Sequence, residues 1–344
     1  MGFLLRCVAA AGCVVVGFSA LAAPLTVAEI ATYEGPDRQA LLEQGARREG
    51  KILVYSIGAQ ADPVYAGFMK KYPFLKFEIA KADAPTTSRR MMEEYAARTY
   101  LVDALDLAVI GLRPLMELGV LQPYKSPQLA HFAKTGLEPS GYWALDYQSF
   151  VGMGYNTMLV SEADAPKTYD DLLDPKWRGR MAIPGTSTLA NFIGALVTDR
   201  GEAFARRLSE QNIRVHEVSG RAVANLVVSG EVAMSPALFN SHIANSRDQG
   251  APVAWRALGG VYSTTGAMAL AAKAPHPHAA MLFIDFVLSR EGQEIYGSLG
   301  YASARTDMAS RDKPEKVYYF GDDPEYPQNY EKWLALGRQI TGQK

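Results

Sequence analysis

Beyond its opening 23 residues the chain has no cysteine, since Cys7 and Cys13 are its only two. A chain without thiols forms no disulfides, thiolate zinc sites, iron–sulfur clusters or cysteine nucleophiles. After that stretch there is also no apolar run of about 18 residues to span a bilayer. No basic tract of five or more residues occurs, which argues against a nucleic-acid partner. Catalytic signatures are missing as well: no Gly-x-Ser-x-Gly elbow, no His-Glu-x-x-His, no phosphate loop and no dinucleotide fingerprint. The histidines are scattered, and the one close pair, His276 and His278, reads as the exposed start of a helix rather than a metal site. The expectation is therefore a chain with no catalysis, no metal and no cofactor.

The opening stretch is informative in its own right. Arg6 supplies one positive charge, Cys7 to Leu21 is apolar, and Ala20-Leu21-Ala22 has the small-x-small form that signal peptidase cuts. Residues 1–22 thus read as a cleaved signal peptide, with the mature chain starting near Ala23 and exported. A lipid anchor at Cys13, after Ala10-Ala11-Gly12, fits less well, because the run stays apolar where an anchored protein turns polar. Without Arg6 the formal charge moves from −1 to −2. What remains is too long for one comfortable core and suits two domains.

From Gly50 onward short apolar runs alternate with helical patterns. Lys51 to Ser56 reads as a buried strand, Asp62 to Lys71 as a helix, and Phe74 to Ala80 as a half-exposed strand. Thr86-Thr87-Ser88 would cap a helix through Leu101, and Ala104 to Gly111 reads as another strand before a helix ending at Gly119. The scheme repeats with a strand over 180–185, helices to Arg200 and over 202–211, a strand over 213–218, a helix over 221–229 and a strand over 231–235. Trp143 to Leu159 and Val261 to Ala272 are extended runs, and helices follow over 277–288 and 291–299. The pattern predicts an α/β protein of two lobes, each a mixed, mostly parallel sheet flanked by helices, joined by two hinge crossings. Lobe 1 is expected over 23–150 plus 264–344, and lobe 2 over 151–263. Ligands of open α/β sheets bind beyond the carboxyl ends of strands.

Three expected strand-to-helix junctions carry hydroxyls: Asp83 to Ser88, Gly185 to Thr188, and Ser219-Gly220. Helix N-termini offer unpaired N–H groups and partial positive charge, hence anion sites, though ordinary capping also explains each hydroxyl. Arg89 and Arg90 in one first turn and Arg221 in another oppose the helix dipole by roughly 0.3–1 kcal/mol each. An anionic ligand would justify them, and so would pairing with Glu93, Glu94 or Glu217. Tyr147, Phe150, Tyr155 and Tyr262 lie near the crossings and could wall a cleft.

Several segments then match a known pattern. These are Glu49 to Ser56, Gly119 to Tyr124, Asp174 to Pro184, Ser229 to Ala233, Ala274 to Ala280 and Phe283 to Gln293. In this order they resemble the periplasmic solute-binding proteins of ABC importers with the type II fold, in the group of ferric-iron, thiamine, spermidine and aminoethylphosphonate binders. The resemblance implies a hinged, monomeric periplasmic receptor that hands its solute to an inner-membrane ABC permease and its ATPase. It also implies ligand contacts from the loop after Tyr55, the Asp83–Ser88 and Gly185–Thr188 loops, the Ser219–Arg221 turn and the stretch after Ala233. Ferric-binding members are similar in carrying adjacent tyrosines after the Gly-Glu helix stop, where this chain has Leu238-Phe239, which supply no ligand for Fe(III). Tyr318-Tyr319 reads as packing.

The resulting expectation is a receptor for a small polar, anionic or zwitterionic solute: a carboxylate, phosphonate or phosphate ester. Its contacts are expected from Ser56, Thr86, Ser88, Arg89, Thr186, Ser187, Arg221 and Asn240. A ferric receptor using other oxygen ligands or a co-anion is the alternative within the class. An exported enzyme on the same fold, or a ligand-sensing partner of a membrane receptor, is the alternative outside it.

Overall fold

The computed structural model describes residues 25–57, 59–309, 312, 314–320, 323 and 325–343. The expected signal peptide and Cys13 lie outside them. Among the described residues no helix is long and apolar enough to cross a membrane.

The strands in chain order are β1 (Lys51–Ser56), β2 (Lys76–Lys81), β3 (Ala104–Leu107), β4 (Leu121–Gln122), β5 (Trp143–Asn156), β6 (Ala182–Pro184), β7 (Arg214–His216), β8 (Met234–Phe239), β9 (Val253–Arg256), β10 (Val261–Ala271) and β11 (Val317–Tyr318). The main sheet runs β2-β1-β3-β10-β5-β8, with β4 and β11 against β10 and β9 against β5. Strand β1 is parallel to β2 and to β3, as short strand–helix–strand connections require. Helices Asp62–Lys71 and Ala84–Ala96 make those connections.

Two strands belong to both lobes. The first part of β5 pairs antiparallel with the end of β10, beside β3. The later part of β5 pairs with β8 and β9 in the second lobe. At the waist between them stand polar residues, with Gln148 opposite Thr265 and Ser149 opposite Thr264. Strands β6 and β7 form a small parallel sheet at the second lobe. Pro236 lacks an N–H, and the pairing of β8 with β5 shifts register as it passes that position.

Each lobe has its own core. In the first, Phe68, Phe77, Phe283 and Phe286 pack ring against ring beneath the sheet. In the second, Tyr155, Phe192, Leu196 and Met234 are buried together with Leu336 and Ile340. Those last two come from helix Tyr326–Thr341, which packs on helix Ser187–Arg200. The expected assignment of all of 264–344 to the first lobe is therefore corrected: this helix buries its apolar face in the second. Its stripe, with Trp333, Leu336 and Ile340 at helical spacing, finds a matching surface there.

Expected boundaries move too: the strand expected over 231–235 is Met234–Phe239, and the helix expected through Leu101 ends at Ala96. Strand β3 ends at Leu107, and helix Val109–Glu117 starts inside the apolar run that read as strand to Gly111. Helix Ala84–Ala96 is capped by Asp83, whose Oδ1 accepts from the Thr86 amide at 2.8 Å, not by the Thr86–Ser88 hydroxyls.

Candidate functional site

A cavity of about 630 Å³ opens where the carboxyl ends of β1 and β3 meet the hinge strands. Ile57 follows β1, and Ala108, Val109 and Ile110 follow β3. Tyr147 comes from β5, Tyr262 to Thr265 from β10, and Tyr319 and Tyr326 from the C-terminal segment. Helix Val109–Glu117 begins at Ala108 with no side-chain cap, so its amide-rich, partially positive end faces the cavity edge. Arg113, one turn further on, adds a full positive charge to the lining.

Opposite stands a row of hydroxyls. Ser263 Oγ donates to the Thr264 carbonyl at 3.1 Å, and Thr264 Oγ1 to the Ser149 carbonyl at 3.4 Å. The phenols are tied in place: Gln60 Nε2 donates to Tyr147 Oη at 3.0 Å, and Tyr326 Oη donates to Asn191 Oδ1 at 2.9 Å. Burial pushes the Tyr147 and Tyr262 phenols well above their ordinary range. Glu138, the one carboxylate among the described lining residues, accepts from the Ser140 and Tyr142 amides. Amide ends, a guanidinium and phenolic and aliphatic hydroxyls together suit an anionic group with polar substituents.

The residues expected from sequence are placed elsewhere. Ser56 is fully buried and accepts from Tyr65 Oη at 2.9 Å. Ser88 Oγ donates to the Ala84 and Gly111 carbonyls at 2.8 and 2.7 Å, which joins two helices. Thr86 is exposed on the first turn of its helix, and Arg89, expected in that turn, is exposed in the second because the helix starts at Ala84. Neighbouring Arg90 pairs with Glu94 at 2.8 Å and lies over the Tyr55 ring at 4.5 Å.

Thr186 caps helix Ser187–Arg200 weakly, accepting from the Thr188 amide at 3.5 Å, and Ser187 is exposed. Arg221 donates to the His242 carbonyl at 3.1 Å, and burial together with Arg221 pushes His242 down to about 4. Asn240 is buried; its Oδ1 accepts from the Phe150 amide at 2.8 Å and from Ser149 Oγ at 3.2 Å. It fastens the hinge strand to helix Asn240–Asp248 and borders a smaller cavity of about 310 Å³.

None of those eight lines the larger cavity. Of the four aromatics expected as walls, Tyr147 and Tyr262 do, while Phe150 and Tyr155 pack in the second lobe. Tyr319, read as packing, is part of the lining, whereas Tyr318 stacks on Phe320. Arg113 and the Ala108–Ile110 turn went unnoticed because an apolar helix start looks like the end of a strand. The rule that ligands bind at carboxyl ends of strands was the signal available for them.

Two α/β lobes sharing two long antiparallel strands, with a cavity at the strand ends beside them, define a type II periplasmic binding protein fold. Residues 112–322 match the family described as bacterial extracellular solute-binding protein, and the chain belongs to that family. It is similar to an uncharacterized protein of Haemophilus influenzae, 27% identical over 201 residues, which are 52% of this chain and 56% of that protein. It is also similar to iron uptake protein A1 of Synechocystis, 25% identical over 203 residues, 54% of this chain and 56% of that protein. The chain thus spans a little over half the length of these curated relatives.

Among solved structures, iron-bound HitA from Pseudomonas aeruginosa superposes with a TM-score of 0.65 at 20% identity, over 84% of this chain and 99% of that one. AfuA from Actinobacillus pleuropneumoniae with fructose-6-phosphate gives 0.62 at 21% identity, over 84% and 99%. At these identities the likeness is one of fold.

Proposed function

We propose that this chain is the solute receptor of an ABC importer, exported to the periplasm after removal of residues 1–22, acting as a monomer and without catalysis of its own. It closes about β5 and β10 on a small anionic or zwitterionic solute and presents the closed form to an inner-membrane permease and its ATPase. The solute's differential affinity for the closed state drives the closure. The observation that carries this reading is the cavity beside the hinge strands, where an uncapped helix start and Arg113 face the hydroxyls of Ser263 to Thr265. A carboxylate, phosphonate or phosphate ester would take the amide end and the guanidinium, and its polar remainder the hydroxyls and phenols.

The named relatives point to two chemistries, iron and a sugar phosphate. The phosphate side fits this lining better. Leu238-Phe239 supplies no oxygen for Fe(III), whereas the helix start and Arg113 in the lining suit an anionic group.

A thermal-shift series on the refolded mature chain tests the reading, with organic acids, phosphonates, sugar phosphates and ferric salts. A ligand at a hundred times its dissociation constant stabilises by about 2.7 kcal/mol. The expected result is a shift with one anion class that is lost in Arg113→Ala and kept in Arg89→Ala. A shift with ferric ion alone would replace the anion by iron, and a shift with no compound would overturn the solute class.

A further inference from the structure

A pair of carboxyls is buried at the base of the hinge. Asp106 on β3 and Asp146 on β5 are 1% and 0% exposed. Strand β10 runs between β3 and β5, and the two carboxyls interact across it, with Gly266 leaving room beside Asp146. A Cβ there would come within 2.4 Å of Asp146 Oδ1 and 2.3 Å of the Tyr147 ring. The pairing of β10 with β5 also shifts register next to Gly266, which turns Asp146 toward β3.

The surroundings supply donors but no cation. Tyr65 donates its hydroxyl to Asp106 Oδ2, and Tyr296 Oη donates to Asp146 Oδ2 at 2.8 Å. The Tyr147 amide donates to Asp146 Oδ1 at 3.0 Å, and Gln293 Nε2 holds the Asp146 carbonyl at 2.7 Å. The titratable neighbours are tyrosines on the packed elements: Tyr65 on helix Asp62–Lys71, Tyr124 after β4, Tyr147 on β5 and Tyr296 on helix Arg290–Ser298. Strands β1 and β10 contribute Ser56 and Gly266, which do not titrate. Among the described residues neither carboxyl has an ion pair. Asp106 Oδ1 receives no N–H and no hydroxyl, although it is buried. Two adjacent carboxylates without a cation in such a place are not both charged, and an oxygen lacking a donor beside a second carboxyl is where a shared proton sits.

We propose that Asp106 and Asp146 share one proton at neutral pH, and that this proton bonds hinge strand β5 to the first-lobe strand β3, giving the hinge a proton-binding site. Ionising the second carboxyl would set two like charges against each other at the root of β5, one residue from the cavity wall at Tyr147. The expected titration agrees with the geometry. Burial pushes Asp106 up to about 6, and burial plus the Asp106 charge pushes Asp146 well above its usual range. Folded-state values above the unfolded 3.8 mean that this stabilisation is complete below that value and is lost as pH rises through 6 and beyond.

Infrared difference spectroscopy of the full mature chain at pH 7, without any solute, tests this independently of what the receptor binds. The expected spectrum contains the carbonyl stretch of a buried protonated carboxylic acid, absent from both Asp106→Asn and Asp146→Asn. Calorimetric unfolding in two buffers of different ionisation enthalpy should show about one proton fewer released by each variant than by the wild type. The fall in melting temperature with rising pH should flatten in both variants. If neither variant folds, the wild-type spectrum decides alone: a missing acid band at pH 7 overturns the proposal. It is equally overturned by unchanged proton release, or by a melting temperature that follows sodium or potassium at constant ionic strength instead of pH.

Discussion

Tyr326 and Asn191 connect the C-terminal helix to the second lobe, hydroxyl to side-chain carbonyl at 2.9 Å, while the Tyr326 ring forms part of the cavity wall. The bond and the wall are separable. Tyr326→Phe keeps the ring and should cost about 0.5–1.5 kcal/mol of stability with little effect on solute affinity. Tyr326→Ala should weaken both. Urea unfolding together with ligand titration distinguishes these outcomes, and a double-mutant cycle with Asn191→Ala should show coupling.

Arg38 and Asp285 form a buried pair in the first lobe, with Arg38 also donating to the Lys125 carbonyl at 3.1 Å. Burial raises the Asp285 carboxyl, and the Arg38 bonds work against that rise. Arg38→Met leaves an uncompensated buried carboxyl and should cost about 3–5 kcal/mol. Adding Asp285→Leu should recover much of the loss. Chemical denaturation of the single and double variants measures both.

His276 bonds through Nδ1 to Asp103, at 3.0 and 3.1 Å, and the Asp103 carboxylate also accepts the His276 amide at 2.7 Å. The bond to Asp103 raises the imidazole above its usual 6.5. Its stabilisation is therefore full below about 6.5 and is lost as pH rises through the higher folded value. His276→Gln should remove that part of the pH dependence and leave the capping amide bond. Melting curves from pH 5 to pH 9 read the difference in slope.

Gly111 lies where two helices touch, and a Cβ there would stand 2.9 Å from the Ala84 Cβ, 3.0 Å from Ser88 Oγ and 3.3 Å from the Ala84 carbonyl. Gly111→Ala should force the helices apart and cost about 1–3 kcal/mol. Helix Val109–Glu117 would move with it, so solute affinity should fall as well. Ser88→Ala, which removes only the hydroxyl link, should destabilise with a smaller change in affinity. Calorimetry of unfolding and of binding checks both.

The elements legible in sequence were those with a strong local signal. Strand Lys51–Ser56, helix Asp62–Lys71 and helix Pro277–Leu288 lie where periodicity puts them, and Ser219 caps helix Gly220–Ser229 as expected, accepting from the Ala222 amide at 3.2 Å. The site was less legible. A hydroxyl at a helix start can serve a ligand or the fold, and sequence does not distinguish them: the Ser88 hydroxyl and the Asn240 amide both bond within the protein, because a buried polar atom is satisfied by what lies nearest. Arg113 carries no local mark, since an arginine on a short helix looks like surface.

The alternation of strands and helices and the two-lobed α/β architecture are local properties, readable from period, caps and connection length, and the family is readable from the resemblance of several segments in order. Tertiary structure alone decided which loops reach the hinge, that the last helix covers the second lobe, and that Asp106 meets Asp146 across β10. Those three rest on strand order and register, which bring together residues far apart in the chain and leave no trace in its local pattern.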